Sequence, residues 1–318
     1  MKLLYNRVCL QHDTGMHPEN KKRLEIFDLL PDAPLTDGLP YLPLIHDKDY
    51  IRLVQDACKL DGRLDQDTVT SFEALEAARY AWVLTIKAAK NQVCALVRPR
   101  ANHAYPGKAS GFCIFNNVAI AAQHFVKKGK RVVIFDFDGH LGDGTSEIFY
   151  DSDQVMYWSI HQYPAFPGHG FVDEIGIGQG KGCTVNVPLP PGSADDIFLN
   201  AVTNFLPVAE QFQPDVVAVS AGFDAHQHDL LLQLKVSATA FYKIGQLLRE
   251  RFLYIFATLE GGYNLDALQK GVYNFVAGIN NEPIPFVEEE TISGLRAWET
   301  YDAYLHSIIA NLRPYWKF

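Results

Sequence analysis

Short apolar runs that alternate with amphipathic stretches constrain the fold of this chain more than any other feature of its sequence. The run Val132-Val133-Ile134-Phe135 is apolar at every position, which is typical of a parallel strand covered on both faces. Strands that alternate with helices indicate right-handed βαβ crossovers and an open, twisted sheet. The predicted strands are Val93–Arg98, Arg131–Phe137, Gln154–Ile160, Asp215–Ser220 and Tyr254–Leu259. The predicted helices are Pro18–Leu30, Tyr50–Lys59, Ser71–Lys90, Asn116–Lys128, Ala194–Glu210, Ser237–Arg251, Leu265–Gly278 and Arg296–Asn311.

Four of these strands run into polar side chains that are capable of chemistry. The segments that follow them are Pro99–His103, Asp136–His140, Ala221–His226 and Glu260–Asn264. In open α/β sheets, ligands bind outside the carboxyl ends of the strands. A purely structural sheet gains nothing from four such ends, so we expect one functional site along this edge.

Composition and length exclude several classes of protein. Of 318 residues, 48% are hydrophobic and 20% are charged, which excludes a disordered chain. The formal net charge of −9 argues against a nucleic-acid binder with a general basic surface. At about 150 residues per domain the length allows two domains. Because residues from His103 to Tyr263 must meet at one site, we predict a single α/β domain over residues 1–318.

The cysteines and the apolar runs predict the compartment. The chain has 5 cysteines, widely spaced and without a CxxC pair, which is a poor disulfide framework and suits a reducing compartment. Its first residues form no apolar signal segment, and no run approaches the roughly 18 apolar residues of a membrane span. We therefore predict a cytoplasmic protein that does not bind a membrane.

The segment Asp136–Thr145 holds the densest cluster of acidic and imidazole groups. If it is extended, Asp136, Asp138 and His140 share one face and form a plausible site for a divalent metal. Three interpretations stay open from this segment alone. It is a solvated Asp/Gly turn, or a mononuclear metallohydrolase site with Asp138 and His140 as ligands, or a phosphatase site. For the last, residues 133–139 resemble the haloacid-dehalogenase signature, in which the first Asp is the nucleophile and Mg²⁺ its partner.

Three distant residues favour the hydrolase. Asp224 follows another apolar strand and would complete an Asp, His, Asp set with a fourth position left for water. His103 is a candidate for proton transfer. Tyr263 follows two glycines, and its hydroxyl can donate to a carbonyl oxygen that becomes an oxyanion. Taken singly each residue is more often structural, but together the strand ends favour function.

Six blocks of the sequence resemble the histone deacetylase superfamily, which includes the class II deacetylases and bacterial acetylpolyamine amidohydrolases. The blocks are His12–Asn20, Arg98–Ala104, Ala109–Cys113, Asp136–Thr145, Ser220–His226 and Leu259–Asn264. They occur in the family's order and extend the resemblance over roughly Met1 to Ile279. The resemblance implies the arginase/deacetylase fold, an open parallel sheet sandwiched by helices.

The resemblance also implies a role for each matching residue in metal-assisted hydrolysis of an acetyl amide to acetate and a free amine. Asp138, His140 and Asp224 match the ligands of a catalytic Zn²⁺, although two carboxylates and one His suit Fe²⁺ as well. His103 matches the general base and acid, with Asp143 as its carboxylate partner. Tyr263 matches the tyrosine that polarises the carbonyl.

A potassium site and a substrate tunnel are implied in the same way. The residues that match a structural K⁺ site are Asp136 and Ser159, with the backbone carbonyls of Asp138, His140 and Ile160. Phe112 and Phe166 match the aromatic walls of an acyl-lysine tunnel. Gly111 would offer its carbonyl to the substrate amide.

The chain departs from the family pattern at three places. Relatives usually carry Pro-Gly-His-His where this chain has Arg100-Ala101-Asn102-His103. Asn102 cannot titrate, so we expect His103 to handle the proton alone, with lower activity or a shifted pH profile. Leu141 replaces the second His after the Asp-x-Asp-x run, which changes the surroundings of the metal but not its ligands. Leu231 stands where polyamine-selective relatives carry an acidic gatekeeper.

Leu231 favours an acetylated lysine peptide or protein, or a small neutral acylamide, over a polyamine. The alternatives are an acetylpolyamine amidohydrolase and a weakly active or non-catalytic binder of acyl-lysine, which Asn102 supports. An arginase-like hydrolase needs two metals and the order Asp-x-His-x-Asp, which Asp136–His140 does not have.

Overall fold

A seven-stranded, wholly parallel sheet lies at the centre of the computed structural model, which describes residues 1–35 and 39–318. In those residues the strand order is β1-β2-β7-β6-β3-β4-β5. The strands are β1 (Leu3–Leu4), β2 (Cys94–Ala95), β3 (Val132–Asp136), β4 (Val155–Gln162), β5 (Thr184–Leu189), β6 (Val216–Ala221) and β7 (Ile255–Leu259). The open parallel sheet expected from the alternating pattern is confirmed.

Helices cover both faces of the sheet. They are α1 (Lys22–Glu25), α2 (Lys48–Lys59), α3 (Ala74–Asn91), α4 (Asn117–Val126), α5 (Asp143–Ile148), α6 (Asp195–Gln211), α7 (Ala238–Arg251), α8 (Leu265–Asn280) and α9 (Leu295–Leu312). Short 3-10 helices span Arg7–Leu10, Leu39–Leu44 and Gly178–Gly180. In the described part of the chain, every helix is too short or too polar to cross a membrane.

Alternate residues of the central strands pack into two separate cores. Val133 and Phe135 belong to a hydrophobic cluster that includes residues of α6, α7 and α8. Val132 and Ile134 point the other way, into a cluster with residues of α2, α3 and α4. Because side chains alternate across a strand, the two clusters together need the first four positions of β3, Val132–Phe135, to be apolar, as the sequence has it.

Several elements differ from the sequence-based expectation. β1, β5 and α5 were not predicted, and the predicted helix Pro18–Leu30 contains only the four-residue helix α1. The predicted strand Val93–Arg98 narrows to β2. β5 contains an asparagine and a proline within the buried sequence TVNVPL, and it lies at the edge of the sheet. An edge strand tolerates proline because one row of its backbone groups needs no partner.

The register of the strands brings their carboxyl ends together. Asp136 at the end of β3 is level with Ser159 of β4 and with Ser220 of β6. Ser220 in turn is level with Thr258 of β7. The segments after β3, β6 and β7 therefore leave the sheet at one edge, where the predicted site residues lie.

Candidate metal and catalytic site

Asp138, His140 and Asp224 form a compact buried cluster beyond the ends of β3 and β6. Each offers one ligand atom, and these three atoms lie within 4.8 Å of one another. His140 Nδ1 lies 3.0 Å from Asp224 Oδ2 and 3.5 Å from Asp138 Oδ1. Two carboxylates and one imidazole nitrogen are a donor set that Zn²⁺ and Fe²⁺ both accept.

Backbone amides fix the orientation of the two carboxylates. The Gly139 N–H donates to Asp224 Oδ1 and the Gly261 N–H donates to Asp138 Oδ2, both at 2.7 Å. Gly261 lies so close to the cluster that a Cβ at this position would collide with the carboxylates of Asp138 and Asp224. The glycine after Glu260 is therefore a requirement of the site.

The electrostatic field of the cluster favours positive charge. Burial opposes protonation of His140, yet the charge of Asp224 and the hydrogen bonds that both carboxylates accept from the imidazole raise its pKa to about 9. Burial also penalises the charged form of Asp138, but Arg100 beside it holds the pKa of this carboxyl well below its usual range. A site that draws protons and a guanidinium in this way fits a divalent cation, and the donor chemistry agrees.

Asp136 does not join this cluster, and its predicted place on one face with Asp138 and His140 is wrong. β3 ends at Asp136, so the alternation of an extended strand does not continue to His140. Asp136 Oδ2 instead accepts hydrogen bonds from Tyr157 at 3.0 Å and from Asn102 at 3.2 Å. Burial, with the nearby charges of Asp138 and Glu260, raises the pKa of Asp136. A fully buried carboxyl group that accepts two hydrogen bonds is poorly placed to be a phosphatase nucleophile.

The other residues predicted around K⁺ are close to Asp136. Ser159 is its neighbour in register on β4, and the Ser159 hydroxyl lies 2.9 Å from His161 Nδ1. Ile160 follows it and is fully buried.

His103 and Asp143, which the family resemblance pairs, are in contact and buried. His103 Nδ1 lies 2.6 Å from Asp143 Oδ1, and Tyr105 donates its hydroxyl hydrogen bond to Asp143 Oδ2 at 2.8 Å. Burial lowers the pKa of His103, and the Asp143 carboxylate partly opposes this shift. The imidazole is therefore neutral near pH 7, with Nε2 free of the contact to Asp143.

Asn102 donates a hydrogen bond to Asp136 Oδ2 through its amide nitrogen. Its backbone N–H and that of Ala101 donate to Glu260 Oε2, at 3.1 and 2.7 Å. Burial raises the pKa of Glu260 to about 7. Glu260 thus holds the loop after Arg98 in position through two backbone amides.

Arg100 enters the centre of the site, which sequence reasoning did not foresee. Its side chain is 1% exposed. Nη2 donates to Asp138 Oδ2 at 2.7 Å and to Asn102 Oδ1 at 2.9 Å. Nη1 donates to the Tyr263 hydroxyl and lies 4.0 Å from Asp224 Oδ2. The Tyr263 phenol is buried beside this guanidinium.

A cavity of about 250 Å³ opens onto these groups. Its lining residues are Asp67, Arg100, His103, Gly111, Phe112, His140, Phe166 and Leu231. The four residues predicted for the tunnel are therefore all in its wall. The Phe166 ring packs edge-on to His103 with centroids 5.2 Å apart, and Phe112 stands perpendicular to Tyr263 at 6.3 Å.

Gly111 is another position at which only glycine fits. Its φ of +53° lies in the left-handed region, and a Cβ would collide with the His103 ring. The Gly111 carbonyl accepts a hydrogen bond from the Cys113 thiol at 3.3 Å.

Four site residues were missed from the sequence: Arg100, Asp67, Tyr105 and Glu260. Arg100 and Glu260 lie inside two of the six blocks that resemble the deacetylase family. The sequence therefore indicated that both residues lie near the site, but it did not indicate the direction of their side chains. Asp67 is exposed at the cavity, and its backbone N–H donates to Asp65 Oδ1 at 2.8 Å. A D-x-D spacing before a helix was the only available signal for it.

Comparison with known proteins agrees with this geometry. Residues 17–279 match the model of the histone deacetylase domain. A probable deacetylase of Archaeoglobus fulgidus is 31% identical, over 99% of this chain and 98% of the archaeal protein. An acetylpolyamine amidohydrolase of Burkholderia pseudomallei is 39% identical, over 58% of this chain and 55% of its own.

The fold comparison agrees as well. A crystal structure of the HDA15 HD domain superposes with a TM-score of 0.87 at 28% identity, over 99% of this chain and 97% of that one. The α/β architecture expected for a deacetylase is thus confirmed. On both its sequence and its fold, the chain belongs to the histone deacetylase family.

Proposed function

We propose that this protein is a metal-dependent amidohydrolase that converts an N-acetyl amide, of the acetyl-lysine type, into acetate and a free primary amine. The observation that carries the proposal is the convergence of three groups on one cavity. The cluster of Asp138, His140 and Asp224 reaches the cavity wall through His140. The His103–Asp143 pair reaches the wall through His103. The Tyr263 hydroxyl lies behind the wall and accepts a hydrogen bond from the lining residue Arg100. The deacetylase family to which the chain belongs supports amide hydrolysis as its reaction.

Asp138, His140 and Asp224 are the residues that would hold the metal, which we expect to be Zn²⁺, with Fe²⁺ as the alternative. A divalent ion bound there supplies Lewis-acid activation of the amide carbonyl and of a water molecule. The amides of Gly139 and Gly261 keep the carboxylates oriented for this task.

His103 is the proposed proton carrier. With Nδ1 held by Asp143, its neutral Nε2 accepts a proton from the attacking water as the new C–O bond forms. The same Nε2 then donates this proton to the amine nitrogen as the C–N bond breaks. The products are a carboxylic acid and an amine, which exchange the second proton of the water to leave acetate and an ammonium group, and His103 returns to its neutral form.

Tyr263 is the proposed donor to the carbonyl oxygen while that oxygen carries negative charge. Its hydroxyl accepts a hydrogen bond from Arg100, which leaves the phenol proton available for the substrate. Phe112 and Phe166 would hold the aliphatic stem of the substrate between their rings, since both line the cavity.

We also propose a K⁺ site at Asp136 and Ser159, with the carbonyls of Asp138, His140 and Ile160. The register of β3 and β4, which sets Asp136 level with Ser159, supports it. The five free and buried thiols support a cytoplasmic location.

The cavity wall supports two competing substrate classes. Leu231 offers an apolar contact near the cavity opening, which supports an acyl-lysine peptide or a neutral acylamide. Asp67, also at the cavity and exposed, supports the competing proposal of a cationic acetylpolyamine. Asn102 favours the third candidate, a weakly active or non-catalytic binder, because it cannot carry a proton.

A hydrolysis assay tests the proposal. Metal-loaded protein is offered an acetyl-lysine peptide and an acetylpolyamine, and acetate release is measured together with the metal content. We expect turnover with one divalent ion per chain, and its loss in His103→Ala and Tyr263→Phe. A matched control is His306→Ala, since His306 is exposed on α9 and should leave turnover unchanged.

The three candidates give different results. Faster turnover of the acetylpolyamine than of the acetyl-lysine peptide would support the cationic substrate that Asp67 favours. Tight binding of the acetyl-lysine peptide without release of acetate would show that the protein is a non-catalytic binder. Full activity of His103→Ala would contradict the mechanism.

A further inference from the structure

Arg100 places a permanent positive charge inside the cluster that would hold the metal. Its guanidinium bonds Asp138 Oδ2 at 2.7 Å and lies 4.0 Å from Asp224 Oδ2. Both contacts are to carboxylates of the proposed ligand set. Arginine stays protonated at any ordinary pH, so this charge is present whether or not a metal is bound.

The guanidinium is held firmly, but its contacts do not use all of its donors. Nη2 also bonds Asn102 Oδ1, and Nη1 bonds the Tyr263 hydroxyl. Nε is buried and bonds no acceptor among the residues that the structure describes. A buried donor without an acceptor is unfavourable, so Arg100 is held here mainly by its charge pairing with the cluster.

The same carboxylates cannot serve both cations without loss. Asp138 Oδ2 already accepts from the Gly261 N–H and from Arg100, while Oδ1 accepts from the His140 N–H. A divalent ion bound at Asp138 and Asp224 would lie close to the guanidinium, in a buried region where like charges repel strongly. Binding of the metal therefore weakens the Arg100 contacts, and Arg100 weakens the binding of the metal.

We propose that Arg100 is an internal counter-ion that competes with the divalent metal for Asp138 and Asp224, so that the protein binds its metal exchangeably. The inference rests on the proposed metal site, but not on any hydrolytic activity. In the absence of the metal, Arg100 neutralises buried carboxylates that would otherwise repel each other. In its presence, Arg100 lowers the affinity and speeds the loss of the ion.

Metal affinity measured without substrate tests the proposal. Zn²⁺ is titrated in competition with a chromophoric chelator into wild type, Arg100→Met and Arg100→Lys. We expect the neutral Met variant to bind Zn²⁺ at least about tenfold more tightly, which is about 1.4 kcal/mol. The Lys variant keeps the charge and should stay closer to wild type than to the Met variant.

The unfolding temperature in excess chelator should change in the opposite direction to the metal affinity. Arg100→Met should unfold at a lower temperature than wild type, because Asp138 loses its buried partner. A substitution that merely damaged the site would lower both the stability and the metal affinity. Tighter metal binding with lower stability in chelator is the combination that supports a counter-ion.

A kinetic measurement covers the case in which Arg100→Met folds only with metal. Each protein is purified with Zn²⁺ and mixed with excess chelator, and we expect slower loss of the ion from the Met variant. A wild type that binds no Zn²⁺ beside a Met variant that binds one ion would support the strongest form of the competition. Equal or weaker binding by the Met variant, or failure of both proteins to bind Zn²⁺, would overturn the proposal. Absence of acetate release would count against the proposed function alone.

Discussion

The hydrogen bond between His103 and Asp143 sets the protonation behaviour expected of the site. Burial lowers the pKa of His103, and the Asp143 carboxylate raises it again in part. A neutral imidazole is the form that accepts a proton. We therefore expect the acid limb of the kcat/KM profile to lie below the ordinary histidine value of about 6.5.

Asp143→Asn should move this limb further toward acid. Without the carboxylate, the influence that raises the pKa of His103 is lost, so the imidazole stays neutral to a lower pH. The plateau rate should fall about 10- to 100-fold, since Asp143 also orients the ring. The measurement is kcat/KM against pH. A limb that stays in place or moves to higher pH would contradict the assigned role of Asp143.

Gly261 is a second residue with a sharp expectation. Gly261→Ala should abolish binding of one metal ion per chain, because the added Cβ collides with Asp138 and Asp224. Overpacking of this kind costs about 1–3 kcal/mol of the free energy of unfolding. Metal analysis and chemical denaturation measure the two effects. Gly62→Ala is the matched control, since its Cβ would meet only ordinary contacts.

At the scale of single residues, the sequence predicted which residues form the site better than it predicted where their side chains point. Asp138, His140, Asp224, His103 and Tyr263 lie together as expected, because each follows an apolar strand that ends at the same edge of the sheet. The direction of the Arg100 side chain could not be predicted, since it depends on acceptors from three other segments. Asp136 was misplaced because strand alternation was extended past the end of β3.

Among the elements, helix α8 begins directly after the site residue Tyr263. Asn264 caps its first turn by accepting from the Ala267 N–H at 3.1 Å, and its own amide donates to the His228 carbonyl at 3.0 Å. Asp229 Oδ2 accepts from the backbone N–H of Tyr263 at 2.6 Å and of Asn264 at 3.1 Å. The start of α8 thus fixes the backbone from which the Tyr263 phenol projects.

Asn264→Ala should therefore change both stability and turnover. Loss of a helix cap costs about 1 kcal/mol, and the freed start of α8 would let Tyr263 drift from the carbonyl oxygen. We expect kcat to fall more than KM changes, because the donation from Tyr263 is needed mainly in the transition state. Asn264→Ser keeps a capping oxygen and should restore most of both. Unchanged kcat in the alanine variant would contradict this coupling.

The accuracy of the predicted element boundaries depended on the strength of the hydrophobic pattern in each element. β3, β6 and β7 are mostly apolar, with one polar residue each near the carboxyl end, and were predicted within one or two residues of their observed ends. β1 has two residues and α5 has six, which is too short for any periodicity to be recognised. β5 was missed because proline and asparagine are rare in strands, and only its edge position makes them acceptable.

For the whole molecule, parallel strands in register are what make one site out of distant segments. Asp136, Ser159, Ser220 and Thr258 are level across four adjacent strands, so residues separated by more than a hundred positions in the sequence emerge side by side. The prediction of a single domain over residues 1–318 rests on this convergence and stays a prediction.

Because the three metal ligands come from distant segments, the free energy of unfolding of the whole domain should depend on metal binding. A ligand that binds only the native state stabilises it by mass action, by about 2.7 kcal/mol at a free concentration of 100 times its Kd. We therefore expect the unfolding temperature to rise steadily with Zn²⁺ and to fall in excess chelator, as measured by scanning calorimetry. Asp224→Asn is the control, since it keeps an oxygen for the Gly139 N–H but loses the charged ligand, and its unfolding temperature should depend little on Zn²⁺. Identical unfolding of the wild type with and without Zn²⁺ would mean that Asp138, His140 and Asp224 do not hold the ion in the native state.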